Sequence, residues 1–219
     1  MNVNERKGWM EIVSPEDYDA HMEEIGQAEA NAFLVAKMFK DFPLNEGASL
    51  LVPGAGTGQM FDYITPFQIG LCSFTFSDIS SRLLGRLEQR LLKMYPRFRY
   101  KAVLDDIEDT RLKGPYDGIL TVLLLQHIEW RKGIESMVGF NPKRMYFVIQ
   151  QQENQSRAIN MQRKLQPSIE EFARIANPHL VPKQELVDHL RDNNYGLLGS
   201  YEKQVPDEKT MVGLVFEKS

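Results

Sequence analysis

Three glycines and two acids carry the chemistry this sequence points to. The stretch Leu50-Leu51-Val52-Pro53-Gly54-Ala55-Gly56-Thr57-Gly58 closes a short apolar run and opens a helix-like segment. Glycines at alternating positions let a ligand approach the backbone without Cβ interference and permit positive φ. A helix start directly behind them offers unpaired N–H groups to a negative ligand end. Roughly twenty residues on, Asp78 closes the next strand-like run, where a carboxylate can accept hydrogen bonds from both hydroxyls of a ribose. Asp106 stands at the end of the run after that. A dinucleotide dehydrogenase would use the same plan, but its fingerprint wants the third glycine at the position of Gln59, and here it is Gly58. The spacing favours a different adenosine ligand.

The elements that must position these residues alternate. Apolar or β-branched runs at 49–52, 71–76, 100–104, 117–125 and 145–149 read as strands, and 59–64, 80–95 and the stretch through Ile134 and Met137 read as helices between them. Alternation of this kind implies right-handed crossovers and a parallel sheet covered on both faces, with ligands beyond the carboxyl ends of the strands. Gly54 to Gly58, Asp78 and Asp106 should therefore face one crevice. Ahead of the sheet, 15–40 reads as a helix with Tyr18, Met22, Ile25, Phe33, Leu34 and Met38 on its apolar positions, and Ser14-Pro15-Glu16 as its start. Behind it come a helix over 182–193 and two β-like runs, 197–205 and 211–216, that pair as a hairpin.

This order of strand, glycine loop, helix, acid-ended strand and third strand with Asp resembles the class I (Rossmann-like) S-adenosylmethionine-dependent methyltransferase family, over nearly the whole chain. The resemblance implies an α/β three-layer sandwich: a mainly parallel seven-stranded sheet, its last strand antiparallel, with an N-terminal helical cap. It divides the single domain into a cap (1–45), a cofactor-binding core (46–150), a helical substrate-side insertion (151–195) and a terminal β-hairpin (196–219). It implies S-adenosyl-L-methionine as cofactor and S-adenosyl-L-homocysteine as product. Gly54, Ala55, Gly56 and Gly58 match the first motif, and Asp78 with Ile79 the ribose-binding strand end. Asp106 matches the acid that meets the adenine amino group, and Ile107 the backbone N–H that meets the ring. Tyr116-Asp117-Gly118-Ile119-Leu120-Thr121 through Leu125-Gln126-His127-Ile128 resembles the fourth-strand motif, so Thr121, Leu123 and Gln126 should line the methionine and methyl end. One departure stands out: where members commonly carry an acid two residues before the first glycine, this chain has Val52. The methionine ammonium must then be met by backbone carbonyls, water or a side chain from elsewhere, such as the N-terminal helix.

Methyl transfer from a sulfonium is an in-line displacement, so catalysis is mainly alignment and exclusion of water, and a base is useful only if the acceptor must lose a proton. His127, just beyond the fourth strand, is the candidate base; a cofactor-lining or structural histidine is the competing reading. Tyr18 and His21 could form a lid over the methyl group or an ordinary helix face. Gln150, Gln151 and Gln152 begin a run of amides where the fifth strand should emerge, suited to orienting a polar substrate or to a solvated connection. The segment 155–180, with Ile159, Met161, Leu165, Ile169 and Phe172, reads as a helical insertion that caps a small molecule.

Charge and cysteine content narrow the classes. A net charge of −4 argues against a broad nucleic-acid footprint, and the series Arg82, Arg86, Arg90, Lys93 reads as a solvated helix face. The sole cysteine, Cys72, permits no disulfide framework and no thiolate metal site, and no metal is expected. Neither a signal-peptide core nor a membrane-spanning run is present, so a cytoplasmic enzyme acting on O or N of a small polar acceptor is the expectation. Methylation of RNA or protein, a non-catalytic S-adenosylmethionine-binding sensor or partner protein, and a nicotinamide dehydrogenase are the competing functions; the sequence leaves the oligomeric state open.

Overall fold

The computed structural model describes residues 1, 3–152, 159, 164–176 and 178–219. The chain begins with α1 (Val3–Lys7), which runs into a π-helical turn over Gly8–Ile12, followed by α2 (Pro15–Glu24) and α3 (Gln27–Asp41). The single helix read over 15–40 is thus two, broken at Gly26, whose φ of 66° suits a residue without Cβ. The start of α2 is as expected: Ser14 Oγ accepts the Asp17 N–H at 3.0 Å, with Pro15 in the first turn. Phe33 was read as part of the apolar face but turns to solvent, where Lys203 lies over its ring.

The α/β core follows as β1 (Ser49–Pro53), a 3₁₀ turn (Gln59–Asp62), α4 (Pro66–Ile69), β2 (Ser73–Asp78), α5 (Ser81–Met94), β3 (Tyr100–Leu104), β4 (Gly118–Val122), α6 (Trp130–Gly139) and β5 (Arg144–Gln152). It closes with α7 (Pro167–Ile175), α8 (Lys183–Asp192), β6 (Tyr195–Val205) and β7 (Lys209–Lys218). The seven strands lie in the order β3-β2-β1-β4-β5-β7-β6, parallel except for β7, which runs antiparallel to both neighbours. This is the sheet the sequence led us to expect. Order reverses between β1 and β4, so the crevice opens at their carboxyl ends. Register aligns the functional ends: Pro53 pairs with Ser77 and Asp78 with Leu104, bringing the glycine loop, Asp78 and the Asp105-Asp106 turn to one edge.

Period-2 alternation sorts the buried residues onto two faces. Leu50 and Val52 pack with Leu34, Val35, Met38 and Phe39 of α3 and Leu84, Leu87 and Leu91 of α5. Leu51 and Ile119 pack on the other face with Trp130, Ile134 and Met137 of α6 and Leu186 and Leu190 of α8. Strands buried on both sides explain why they read as continuous apolar runs. A third, smaller cluster joins Val13 and Trp9 to Ile169, Phe172 and Ala173 of α7 and to Tyr18 of α2, so the N-terminal segment and α7 form one roof above the crevice. Of the insertion read over 155–180, α7 is the helical part; positions 155–158, 160–163 and 177, Met161 among them, lie outside the described residues.

Candidate active site

The glycine loop has the geometry its composition demands. Gly54, Gly56 and Gly58 have φ of 61°, 57° and 69°, a region where an L side chain is strained. Added Cβ atoms would lie 2.5 Å from Leu124 Cδ1 at Gly54 and 2.2 Å from Leu87 Cδ1 at Gly58. At Gly56 the nearest neighbour would be Tyr18, at 3.5 Å. The loop is tied to the next strand by Asp78, whose Oδ2 accepts the Gly56 N–H at 2.9 Å and whose Oδ1 accepts the Ser80 N–H at 2.9 Å. Burial pushes the Asp78 carboxyl up from its ordinary value, against the pull of the N–H groups of Ser80, Gly56 and Ile79. Each oxygen keeps a second lone pair for a hydroxyl donor.

Three cavities meet at Tyr18, two of them bordered by this loop. The first, about 550 Å³ of empty space partly open to solvent, is lined by Gly54, Gly56, Asp78, Ile79, Asp106, Ile107 and His127 and roofed by Trp9 and Tyr18. On the other side of Tyr18, the second takes in His21, Leu123, Gln126, His127 and Gln150 with Phe172 of α7. The third lies under the amino end of α3, against Val52, Gly54, Ala55, Gly56, Gly58 and Leu123. Tyr18 lines all three. Its hydroxyl pKa is pushed up strongly, first by burial and then by the Asp78 charge, with the Gln59 amide opposing. Tyr18 is therefore a neutral phenol, a wall and hydrogen-bond donor rather than a base.

The structure separates the other sequence candidates. His127 stands between the first and second cavities, its Nε2 3.3 Å from Gln126 Nε2 and its Nδ1 3.6 Å from the buried Glu5 carboxylate. Trp9 meets the imidazole edge-on at 4.9 Å between ring centroids. Among the three glutamines, alternation along β5 sends Gln150 into the second cavity, where its Oε1 accepts from Gln27 Nε2 at 2.9 Å. Gln151 points to the opposite face and donates to the Val181 carbonyl at 2.8 Å. Gln152 accepts from Gln150 Nε2 at 3.0 Å and does not line the described cavities. Thr121 is fully buried beneath the site, its Oγ1 without a hydrogen-bond partner. Leu123, just past β4, has φ of 56°, a left-handed conformation that ends the strand earlier than the run 117–125 suggested.

Several site features have no counterpart in the sequence reading. Arg86 and Arg90, read as a solvated face, both bond to Asp19 of α2 at 2.9 Å. Arg90 also pairs with Asp62 and donates to the Thr57 carbonyl, while Thr57 Oγ1 donates to Asp19. This network bolts the N-terminal cap to the glycine loop. On the far side Arg6 of α1 pairs with Asp106. No local pattern marks Asp19 or Arg6, because each acts on a partner that only the tertiary fold supplies. Among the described residues there is no cluster of His, Cys, Asp and Glu suited to a metal ion, and no helix long and apolar enough to cross a membrane.

Sheet order, reversed β7, glycine loop and acid-ended β2 together define the class I S-adenosylmethionine-dependent methyltransferase fold. Solved structures agree. Magnesium protoporphyrin IX methyltransferase from Synechocystis PCC 6803, with bound SAM, superposes with a TM-score of 0.65 at 16% identity, over 89% of this chain and 81% of that one. The 1,6-didemethyltoxoflavin-N1-methyltransferase of Burkholderia thailandensis, bound to 1,6-didemethyltoxoflavin and S-adenosylhomocysteine, gives 0.64 at 14% identity, over 94% and 91%. The [4+2]-cyclase SpnF gives 0.63 at 11% identity, over 85% and 80%. At these identities the likeness establishes the fold. Sequence comparison finds no matching family model and no similar curated protein.

Proposed function

We propose that this chain is an S-adenosylmethionine-dependent methyltransferase that methylates O or N of a small polar molecule. The observation that carries the proposal is the meeting of three cavities at Tyr18, directly over a glycine loop bonded to Asp78. The residues present fit an adenosyl ligand: Gly56, left-handed and bordering the first and third cavities, has only Tyr18 near its Cβ position, and the buried Asp78 carboxylate keeps acceptor capacity.

Bound S-adenosylmethionine would supply an electrophilic methyl on a cationic sulfur. Asp78 would accept the ribose hydroxyls, Asp106 the adenine amino group, and the Ile107 N–H would meet the ring. Gln126 and Gln150 would orient the acceptor in the second cavity. His127, between the two chambers and backed by Glu5, would take the proton from an acceptor that must lose one. Trp9, edge-on to Tyr18 and tilted against Phe172, would with them exclude water above the methyl. Such alignment and desolvation supply roughly 7–11 kcal/mol without further chemistry from the protein.

Solved structures of the same fold include methyltransferases named for a porphyrin and for a toxoflavin precursor, which supports a small-molecule acceptor here. The test is turnover: methyl-labelled S-adenosylmethionine with a panel of hydroxylated and amine metabolites, read as S-adenosylhomocysteine formed. Tight binding with no transfer to any acceptor would instead favour a non-methylating role on the same fold, of which a cyclase neighbour is an example.

A further inference from the structure

Two residues that line the third cavity each carry a buried polar atom that the folded chain leaves unanswered. Asn31, on α3, is only 2% exposed, and its Oδ1 is buried without a hydrogen-bond partner. Gln59, the residue after the last glycine of the loop, has a buried Nε2 that meets no partner at hydrogen-bond geometry, the Tyr18 phenol being the polar group whose proton it influences. Both residues line this one cavity, together with Val52, which offers no polar side chain. One atom is an acceptor and the other a donor. An unpaired buried polar atom is destabilising by about tenfold to a hundredfold in the folding equilibrium, and apolar replacement would remove that cost. Two such atoms of opposite character, on residues that line a cavity bordered by the glycine loop, point to a ligand group that carries both a donor and an acceptor.

We propose that Asn31 and Gln59 receive the α-amino-acid end of the ligand, with Asn31 Oδ1 accepting from the ammonium and Gln59 Nε2 donating to the carboxylate. This rests on the adenosyl-ligand reading and deepens it, because it assigns the contact that Val52 cannot make. A zwitterion is neutral overall, so a pair of neutral amides can hold it without burying an uncompensated protein charge. Position favours the same assignment. Asp78 borders the first cavity and the two amides border the third, with Gly54, Gly56 and Tyr18 shared between them. A ligand lying across the loop would therefore place its ribose at Asp78 and its opposite end at Asn31.

The experiment is calorimetric titration with three probes. S-adenosylhomocysteine has both charged groups, S-adenosyl-3-thiopropylamine keeps the amine alone, and 5′-deoxy-5′-methylthioadenosine has neither. Asn31→Leu should weaken the first two by about tenfold to a hundredfold and leave the third unchanged. Gln59→Leu should weaken only the first. Thermal melting should show both variants folded and no less stable than wild type, since each removes an orphaned atom. Asn31→Asp, as a second variant, should retain or strengthen binding of both amines. Equal losses for all three probes, or no loss for any, would overturn the assignment while leaving the adenosyl reading intact. Failure of the wild type to bind any probe would overturn both.

Discussion

Asp78 Oδ2 accepts the backbone N–H of Gly56 at 2.9 Å, so the acid that ends β2 and the loop that ends β1 hold each other in shape. A ribose gripped by this carboxylate would lie directly on the loop. The cost is a carboxyl buried in the folded protein and pushed up from its ordinary value.

That cost has a sign. A raised pKa means the folded state holds the Asp78 proton more tightly than the unfolded chain, so its contribution to stability is greatest at low pH. The contribution falls as pH rises from the ordinary carboxyl value of 3.8 to the higher folded value, and is flat above. The melting temperature of wild type relative to Asp78→Asn should therefore decline across that window. A ligand donating hydroxyls prefers the ionised form, so adenosyl-ligand affinity should rise over the same range. A melting difference that grows with pH would contradict this.

Gly58→Ala should destabilise the fold by about 2–4 kcal/mol, combining a left-handed backbone with overpacking. The new Cβ would lie 2.2 Å from Leu87 Cδ1. Gly139→Ala, with open space around its Cβ position, is the control and should melt within a degree or two of wild type. Denaturant unfolding of the two variants measures the difference.

Loss of Asp19 should be costly although α2 lies at the surface. Arg90, whose side chain is only 9% exposed, keeps Asp62 as its remaining carboxylate partner once Asp19 is gone. Asp19→Ala should lower stability by roughly 2–3 kcal/mol and loosen the cap over the glycine loop. Chemical denaturation gives the first number, and faster hydrogen exchange in α2 reports the second.

How much of this was legible in the chain depends on how local the cause is. The alternation of strands and helices, the glycine loop and Asp78 are written in short-range patterns: apolar runs, turn residues and fixed spacing. The break at Gly26 was harder to read, since the apolar positions on either side continue nearly in phase and only the left-handed glycine interrupts them. Asn31 could have been noticed as a polar residue amid Ala28, Ala30, Ala32 and Leu34, yet its unpaired oxygen exists only because α3 packs over the loop. Arg86 and Arg90 look like any solvated helix face until α2 brings Asp19 to them. Gln150 and Gln151 are adjacent in sequence and opposite in the sheet, so a run of identical amides concealed which one faces the cavity.

His127→Ala should lower kcat by about 10²–10⁴ for an acceptor that must lose a proton, with S-adenosylhomocysteine affinity nearly unchanged. Tyr18→Phe should slow turnover far less, because the Tyr18 phenol stays protonated and cannot serve as the base. Initial-rate kinetics on both variants separate these roles, and full activity in His127→Ala would remove the base.

The most direct measurement is calorimetric titration of S-adenosylhomocysteine into wild type and Asp78→Ala. Two charged hydrogen bonds to ribose hydroxyls predict saturable one-site binding by wild type and a loss of about a hundredfold or more in the variant. No heat with wild type, or equal affinity in the two proteins, would contradict the assignment of this cleft to an adenosyl methyl donor.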